Sequence, residues 1–270
     1  MSRIASAFAR LRAREERALI PYLTAGDPSL EVTRQLVVEA EARGADLIEL
    51  GFPFSDPLAD GPVIQRASQR ALAHGVTLLG LLDLAREMRP KLRTPLILMT
   101  YMNPLLAYGL EAVTKEASAG FDGLIVPDLP MEEAGPLQRA ARQADLDLIF
   151  LVAPTSGPER IRQIARRSRG FLYAVSLMGV TGPRAELPSD LISYLQRIRA
   201  VTDKPIAVGF GISHPEQVRA VAPHADGVIV GSALVRLVEE ARPEAIRRAG
   251  EFIAALKAET REKGHHGVVV

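Results

Sequence analysis

The sequence predicts a single (β/α)8 barrel of the α/β class, with an extra N-terminal helix and extra short helices. Short apolar segments that are typical of buried parallel strands alternate with amphipathic segments. About eight such units in roughly 250 residues is the number that closes a barrel. The alternative is an open doubly wound sheet, but no G-x-G-x-x-G motif follows the first strand. No linker marks a boundary, so we expect one domain over 1–258 and a disordered tail over 259–270.

The elements can be assigned in order along the chain. An amphipathic helix at about 4–14 precedes the first strand and is additional to the eight units. Pro62 opens a later helix, because proline is tolerated at the first helical position. The strands are expected at 18–24, 47–51, 95–100, 123–127, 148–152, 171–175, 205–208 and 227–230. The other helices are expected at 30–43, 78–88, 110–118, from 130 to about 143, after Pro158, and at 233–240 and 243–257.

The composition excludes several classes of protein. The net charge of +1 creates no strong field for nucleic acid or membrane surfaces. The chain has no cysteine, which excludes disulfides and thiolate zinc sites, and its five histidines lack metal-ligand spacing, so we expect no metal. No apolar run reaches about 18 residues, and the N-terminus does not read as a signal peptide. We therefore expect a cytoplasmic protein.

Two acidic residues stand out in the segment 47–62. Glu49 interrupts an apolar strand, where it shares a face with Leu47 and where an ionised carboxylate is costly. Asp60 lies in the loop after that strand, so both acids are delivered to the same end of the fold. A structural ion pair remains an alternative for Glu49, and capping of the helix at Pro62 remains one for Asp60.

Glycines at the ends of the last two strands suggest a phosphate site. Strand seven runs into Gly209-Phe210-Gly211, and strand eight into Gly231-Ser232. Glycine allows a backbone N–H to approach an oxyanion, and a helix that starts at Ser232 directs its positive end to the same place. This is the usual phosphate position in such barrels. The alternative, that these glycines only form turns, stays open.

The polar segment 179–188 after strand six has the length and glycine content of a lid over an active site. The alternative is a disordered connection.

These segments together resemble the tryptophan synthase α subunit family, over about residues 1–258. The resemblance rests on the stretch 47–62, on Ser176–Gly182 as the mobile-loop motif S-x-x-G-V-T-G, and on the two glycine-rich strand ends. It implies that Glu49 and Asp60 are the catalytic acids, that Thr181 contacts Asp60 when the loop closes, and that Tyr173 is a supporting hydroxyl. It further implies that the phosphate is bound by Gly182, Gly211, Gly231 and Ser232.

The resemblance also implies an indole pocket and a partner. The pocket would be walled by Tyr22, Met99, Tyr101, Ile125, Val126 and Phe210, where Tyr22 replaces the phenylalanine of some relatives and Met99 a leucine. The face that meets a β subunit in an α2β2 heterotetramer would include Phe52, Pro53, Asp56, Pro57, Asn103 and Pro104. No cofactor is implied for this chain, whereas the β partner of the family carries pyridoxal phosphate.

The implied reaction is the retro-aldol cleavage of indole-3-glycerol phosphate to indole and glyceraldehyde 3-phosphate, in L-tryptophan biosynthesis, with indole passed to the β subunit. Two alternatives make different demands on the sequence. Another phosphate-binding barrel enzyme of tryptophan or histidine biosynthesis would need a catalytic lysine or a cysteine–aspartate pair, which the strand ends lack. A non-catalytic phosphate-ligand-binding partner barrel would not need both acids.

Overall fold

Eight parallel strands form a closed barrel in the order β1 to β8, which confirms the predicted fold class. The computed structural model describes residues 1–175, 190–209, 211–241 and 243–261. Every strand overlaps its predicted range. The strands are β1 (Ala18–Thr24), β2 (Ile48–Gly51), β3 (Leu96–Met99), β4 (Gly123–Ile125), β5 (Asp147–Val152), β6 (Leu172–Val175), β7 (Ile206–Gly209) and β8 (Gly227–Val230).

The helices surround the barrel, and most of them lie where the hydrophobic periodicity predicts them. The described residues include α1 (Arg3–Arg12), α2 (Leu30–Ala42), α3 (Pro62–Ala73), α4 (Leu78–Met88), α5 (Met102–Tyr108), α6 (Leu110–Ala117), α7 (Gly135–Gln143), α8 (Pro158–Arg167), α9 (Leu191–Arg199), α10 (Pro215–Val221), α11 (Ser232–Glu240) and α12 (Ala245–Ala258). Short 3₁₀ turns follow α4 and α10. The sequence did not locate α5, α9 and α10. Two of these have only seven residues, which is too short for a clear period.

Two apolar layers hold the barrel together. The outer layer packs alternate strand residues against the helices, and the inner layer fills the barrel with residues such as Ile20, Leu47 and Ile97. Helix α1 covers the N-terminal end of the strands, where Phe8 lies 5.6 Å from Phe171 between ring centroids. Helix α1 therefore closes that end of the barrel interior, and active sites in such barrels lie at the opposite, C-terminal end of the strands.

Hydrogen bonds at the N-terminal end join the strands in pairs. The residues Asp46, Asp122, Ser168 and Asp226, here called the foot residues, precede β2, β4, β6 and β8. Each accepts a backbone N–H from the strand before it, donated in order by Leu19, Leu96, Phe150 and Ile206. The three acidic foot residues also bind cations, in order Lys257, Arg89 and Arg199.

The first residues after α12 are packed against the barrel, whereas the sequence predicted a disordered tail there. Thr260 is fully buried, and its carbonyl accepts the Arg17 N–H at 2.9 Å, so the disordered tail predicted from 259 does not start there. A backbone bridge between Glu16 and Arg261 explains this order, since it fixes the chain beside the start of β1. The rest of that tail, 262–270, lies outside the described residues. In the described ranges, no helix combines the length and apolar character that crossing a membrane requires.

Candidate active site

Glu49 is fully buried inside the barrel. It lies on β2, opposite Tyr22 of β1 and Ile97 of β3, on the inner face that the strand alternation predicts. Neither carboxyl oxygen forms a hydrogen bond with any described residue, so the structural ion pair considered above is not found there. Burial raises the pKa of Glu49 from its ordinary 4.5 to about 8. A carboxyl group with that pKa can both donate and accept a proton near neutrality.

Asp60 is held by a tyrosine and does not cap α3. The N-cap of α3 is Gly61, and no side chain caps this helix. Instead, the Tyr101 hydroxyl donates to Asp60 Oδ2 at 3.1 Å and accepts the Ala59 N–H at 3.0 Å. Burial raises the pKa of Asp60, and the bond from Tyr101 opposes this effect. The Asp60 carboxylate is therefore fixed at the pocket rim by a donor that favours its charged form.

Two more tyrosines point their hydroxyls at the same cavity. An added Cβ would lie 2.0 Å from the Tyr22 hydroxyl at Gly51, and 2.7 Å from the Tyr173 hydroxyl at Gly209. Glycine at these two strand ends therefore makes room for the phenol groups. Burial raises the pKa of both tyrosines, and the negative charges of Glu49 and Asp60 raise it further. Both acids thus raise the pKa of the same two phenols. Glu49, Asp60, Tyr22 and Tyr173 therefore belong to one site.

The expected indole pocket is assembled only in part. Ile125 and Met99 belong to the inner layer, and Met99 also contacts the group around Tyr22. Val126 packs in the outer layer, on the opposite face from Ile125, because side chains alternate along a strand. Phe210 lies outside the described residues. Leu151 of β5 lies opposite Tyr173 and packs against the inner layer. The sequence analysis did not include it, although the alternation of side chains along β5 places it on the inner face.

The ends of the adjacent strands β7 and β8 are open to an anion. Gly211 has a φ of +66°, and no atom of the described residues lies within 4 Å of an added Cβ there. Helix α11 begins at Ser232 after the N-cap Gly231, with no side-chain cap. Its first N–H groups are thus available, and the helix dipole favours negative charge at this place. The predicted Thr181 and Gly182 lie outside the described residues.

The segments expected to meet a partner are mostly accessible. Asp56 and Asn103 are exposed, and Phe52, Pro57 and Pro104 are half-buried. Pro53 is buried and adds nothing to this surface, because the loop becomes exposed only from residue 55. Two large apolar side chains that the sequence reasoning missed are prominent here: Leu58 is 91% exposed and Leu106 is 56% exposed.

This surface is connected to the acid site. The Phe54 ring stacks on Tyr101 at 5.1 Å between centroids, and Tyr101 holds Asp60. A change in the 52–58 loop therefore reaches the Asp60 carboxylate through a single side chain. As for metals, the residues that the structure describes contain no group of three or more His, Asp or Glu side chains that could hold an ion.

Comparisons with known proteins give one consistent family. A family model described as "Tryptophan synthase alpha chain" matches residues 8–264. A tryptophan synthase alpha chain of Gloeobacter violaceus is 54% identical over 258 residues, covering 94% of each chain. One of Geotalea uraniireducens is 51% identical, covering 98% of this chain and all of that one. A crystal structure of the alpha chain from Legionella pneumophila superposes with a TM-score of 0.90 at 38% identity, covering 98% and 99% of the two chains.

Proposed function

The chain belongs to the tryptophan synthase alpha chain family, and we propose how its own residues carry out the reaction of that family. That reaction is the cleavage of indole-3-glycerol phosphate to indole and glyceraldehyde 3-phosphate, so the chain is a carbon–carbon lyase. Another phosphate-binding barrel enzyme and a non-catalytic barrel are not favoured. The observation that carries the proposed mechanism is Glu49, a fully buried carboxyl group without a hydrogen-bonding partner among the described residues.

In this proposal Glu49 moves the protons. Its carboxyl group, protonated below a pKa of about 8, donates a proton to C3 of the indole and gives an indolenine. The resulting carboxylate accepts the proton of the glycerol hydroxyl next to C3. The C3–C bond then breaks, its electron pair returns to the ring, and the hydroxyl carbon becomes the aldehyde.

Asp60 stabilises the charge that develops on the ring. When C3 is protonated, the indole nitrogen becomes cationic, and a fixed carboxylate beside its N–H lowers the energy of that state. The Tyr101 hydroxyl supports this role because it favours the ionised form of Asp60. Thr181 is proposed to bond Asp60 when the 179–188 loop closes, and Tyr173 to position the glycerol chain beside Glu49.

The phosphate anchors the substrate at the other side of the mouth. We assign it to the backbone at Gly211 and Gly231, to Ser232 and to Gly182, supported by the uncapped start of α11. With the phosphate fixed at β7 and β8, the glycerol chain reaches across the barrel mouth toward Glu49 on β2. Such orientation lowers the barrier because the reacting groups need not find one another.

Membership of an alpha chain family implies a β subunit as partner. We propose an α2β2 assembly in which the surface around Leu58, Leu106 and Phe52 meets that subunit, because exposed apolar side chains gathered at a pocket mouth are typical of interfaces. Indole would pass directly between the subunits. We further propose that the chain needs no cofactor of its own and works in the cytoplasm.

The test is the release of indole from indole-3-glycerol phosphate, measured with the chain alone and with a β subunit. Turnover that disappears in Glu49→Gln and in Asp60→Asn, with both variants folded, supports the assignment. Turnover that persists in either folded variant would refute the role of that acid.

A further inference from the structure

Arg70 joins three elements of the barrel through ion pairs. It lies on α3, and its guanidinium group donates to both carboxyl oxygens of the buried Asp27, at 3.0 and 2.7 Å, in the turn after β1. Its other terminal nitrogen donates to Glu239 Oε1 of α11 at 2.6 Å, and Arg66 adds a longer contact to Glu239 at 3.7 Å. Because a bidentate pair fixes geometry as well as charge, Arg70 holds β1, α3 and α11 in a defined arrangement.

Helix α3 carries Asp60 at its start. Asp60 directly precedes the N-cap Gly61, and the side chain of Gln65 on α3 donates to the Asp60 carbonyl at 2.9 Å. The main chain of Asp60 is thereby tied to α3, in addition to the bond that its carboxylate accepts from Tyr101. A shift of α3 therefore displaces the Asp60 carboxylate.

Helices α3 and α11 are held together at two places. Near their starts, Val63 and Ala67 of α3 and Val235 of α11 share one apolar cluster. One turn further along each helix, the ion pair between Arg70 and Glu239 joins the same two faces. An apolar contact is non-directional and lets two helices slide, whereas a hydrogen-bonded ion pair has a fixed geometry. The ion pair therefore sets how α3 and α11 lie relative to each other.

We propose that Arg70 and Glu239 are positioning residues that couple phosphate binding to the placement of Asp60. The phosphate is assigned to the start of α11 at Ser232, and Asp60 stands at the start of α3. A phosphate that fixes the start of α11 then also fixes α3 through the ion pair, and the Asp60 carboxylate is held beside the indole N–H. The inference rests on the proposed roles of Asp60 and of the phosphate site. It adds two residues that act through the helices and not on the substrate.

The coupling can be measured by supplying the phosphate separately from the rest of the substrate. Indole-3-glycerol lacks the phosphate, and the phosphite dianion serves as the probe for the phosphate site. In the unsubstituted chain, phosphite should accelerate indole release from indole-3-glycerol, because it fixes α11 and thereby Asp60. In Glu239→Gln this acceleration should fall by about tenfold, the effect of losing a hydrogen bond between charged groups. The rate without phosphite and the Kd of phosphite should change far less.

Further variants separate positioning from stability. Glu239→Gln is the main variant because Arg70 keeps both of its bonds to Asp27, whereas Arg70→Met removes the cation that two carboxylates share and should lower the melting temperature strongly. The double variant of Arg70 and Glu239 should lose no more of the acceleration than Arg70→Met alone, because both changes break the same contact. Arg89→Met is the matched control. It breaks an ion pair with Asp122, 2.9 Å long, at the N-terminal end of the barrel, so it should lower the melting temperature and leave the phosphite acceleration unchanged.

The outcomes separate this inference from the proposed function. The inference is wrong if phosphite accelerates Glu239→Gln as much as the unsubstituted chain, or accelerates neither. It is also wrong if Arg89→Met loses as much acceleration, or if Glu239→Gln only weakens the binding of phosphite. The proposed function fails separately, if folded Asp60→Asn still cleaves the full substrate or if Gly211→Asp leaves KM unchanged. A loss of acceleration in Glu239→Gln, with phosphite still bound and with Arg89→Met unaffected, supports the inference.

Discussion

Replacing Glu49 with glutamine should change the pH dependence of stability as well as the activity. Glutamine keeps the shape of the side chain and removes the ionisable proton. In the folded chain the pKa of Glu49 is about 8, against an ordinary 4.5. Because the folded pKa is raised, the contribution of Glu49 to stability is fully present below about pH 4.5 and is lost as the pH rises to about 8.

The magnitude follows from this difference in pKa. At about 1.4 kcal/mol per pH unit, the full loss is roughly 5 kcal/mol by pH 9, with roughly 3 kcal/mol already lost at pH 7. This is a large part of the about 5–15 kcal/mol by which a typical protein is stable. Glu49→Gln lacks this loss, so its stability relative to the unsubstituted chain should rise between pH 5 and about pH 8 and then level off. Turnover should fall by at least about 10²–10⁴-fold at every pH.

Two assays together test this reasoning. Urea unfolding of both chains at pH 5, 7 and 9 gives the difference in free energy of unfolding, and indole release gives the turnover. Substrate should still bind to the variant, because the phosphate contacts remain. If the free energies of unfolding of the two chains differ by the same amount at all three pH values, Glu49 is not a buried titrating group. An active variant, or one that is inactive only because it is unfolded, would refute the catalytic role.

Three further predictions concern the phosphate site, the loop and the partner. Gly211→Asp and Gly211→Ala share the same strain from the positive φ, about 1–2 kcal/mol, but only the first adds a charge. KM should therefore rise far more in Gly211→Asp, and equal KM values would place the phosphate elsewhere. Thr181→Val should lower turnover without changing the melting temperature, and unchanged turnover would leave the 179–188 loop a mere connection. Leu58→Asp should weaken the complex with a β subunit in sedimentation experiments, and undiminished binding would exclude this surface as the interface.

The sequence predicted the fold because its signals are local and repeated. Each strand is a short apolar run, and β2 carries its acid on the inner face simply through alternation. The sequence also predicted the end of α4 at a proline and the start of α3 at Pro62, because proline is a local signal. The positions of Glu49 and of the glycines at β7 and β8 could thus be predicted without the structure.

Contacts between distant segments could not be read in this way. The bond from Tyr101 to Asp60 joins residues 41 positions apart, and nothing in either neighbourhood indicates it. The packing of Val126 in the outer layer could not be predicted, because the resemblance does not fix which face a residue takes at the end of a short strand. Leu58 and Leu106 were missed because exposure of a leucine depends on the fold around it.

The foot residues divide the barrel into four two-stranded modules. Each of the four side-chain bonds lies within a pair, β1–β2, β3–β4, β5–β6 or β7–β8, and none of these four bonds joins one pair to the next. Splitting the barrel into halves after β4 would keep all four bonds inside the fragments, whereas splitting it after β3 would separate Leu96 from Asp122. Recombination between relatives should accordingly be tolerated better at the boundaries after even-numbered strands, because each module then keeps its own side-chain hydrogen bond.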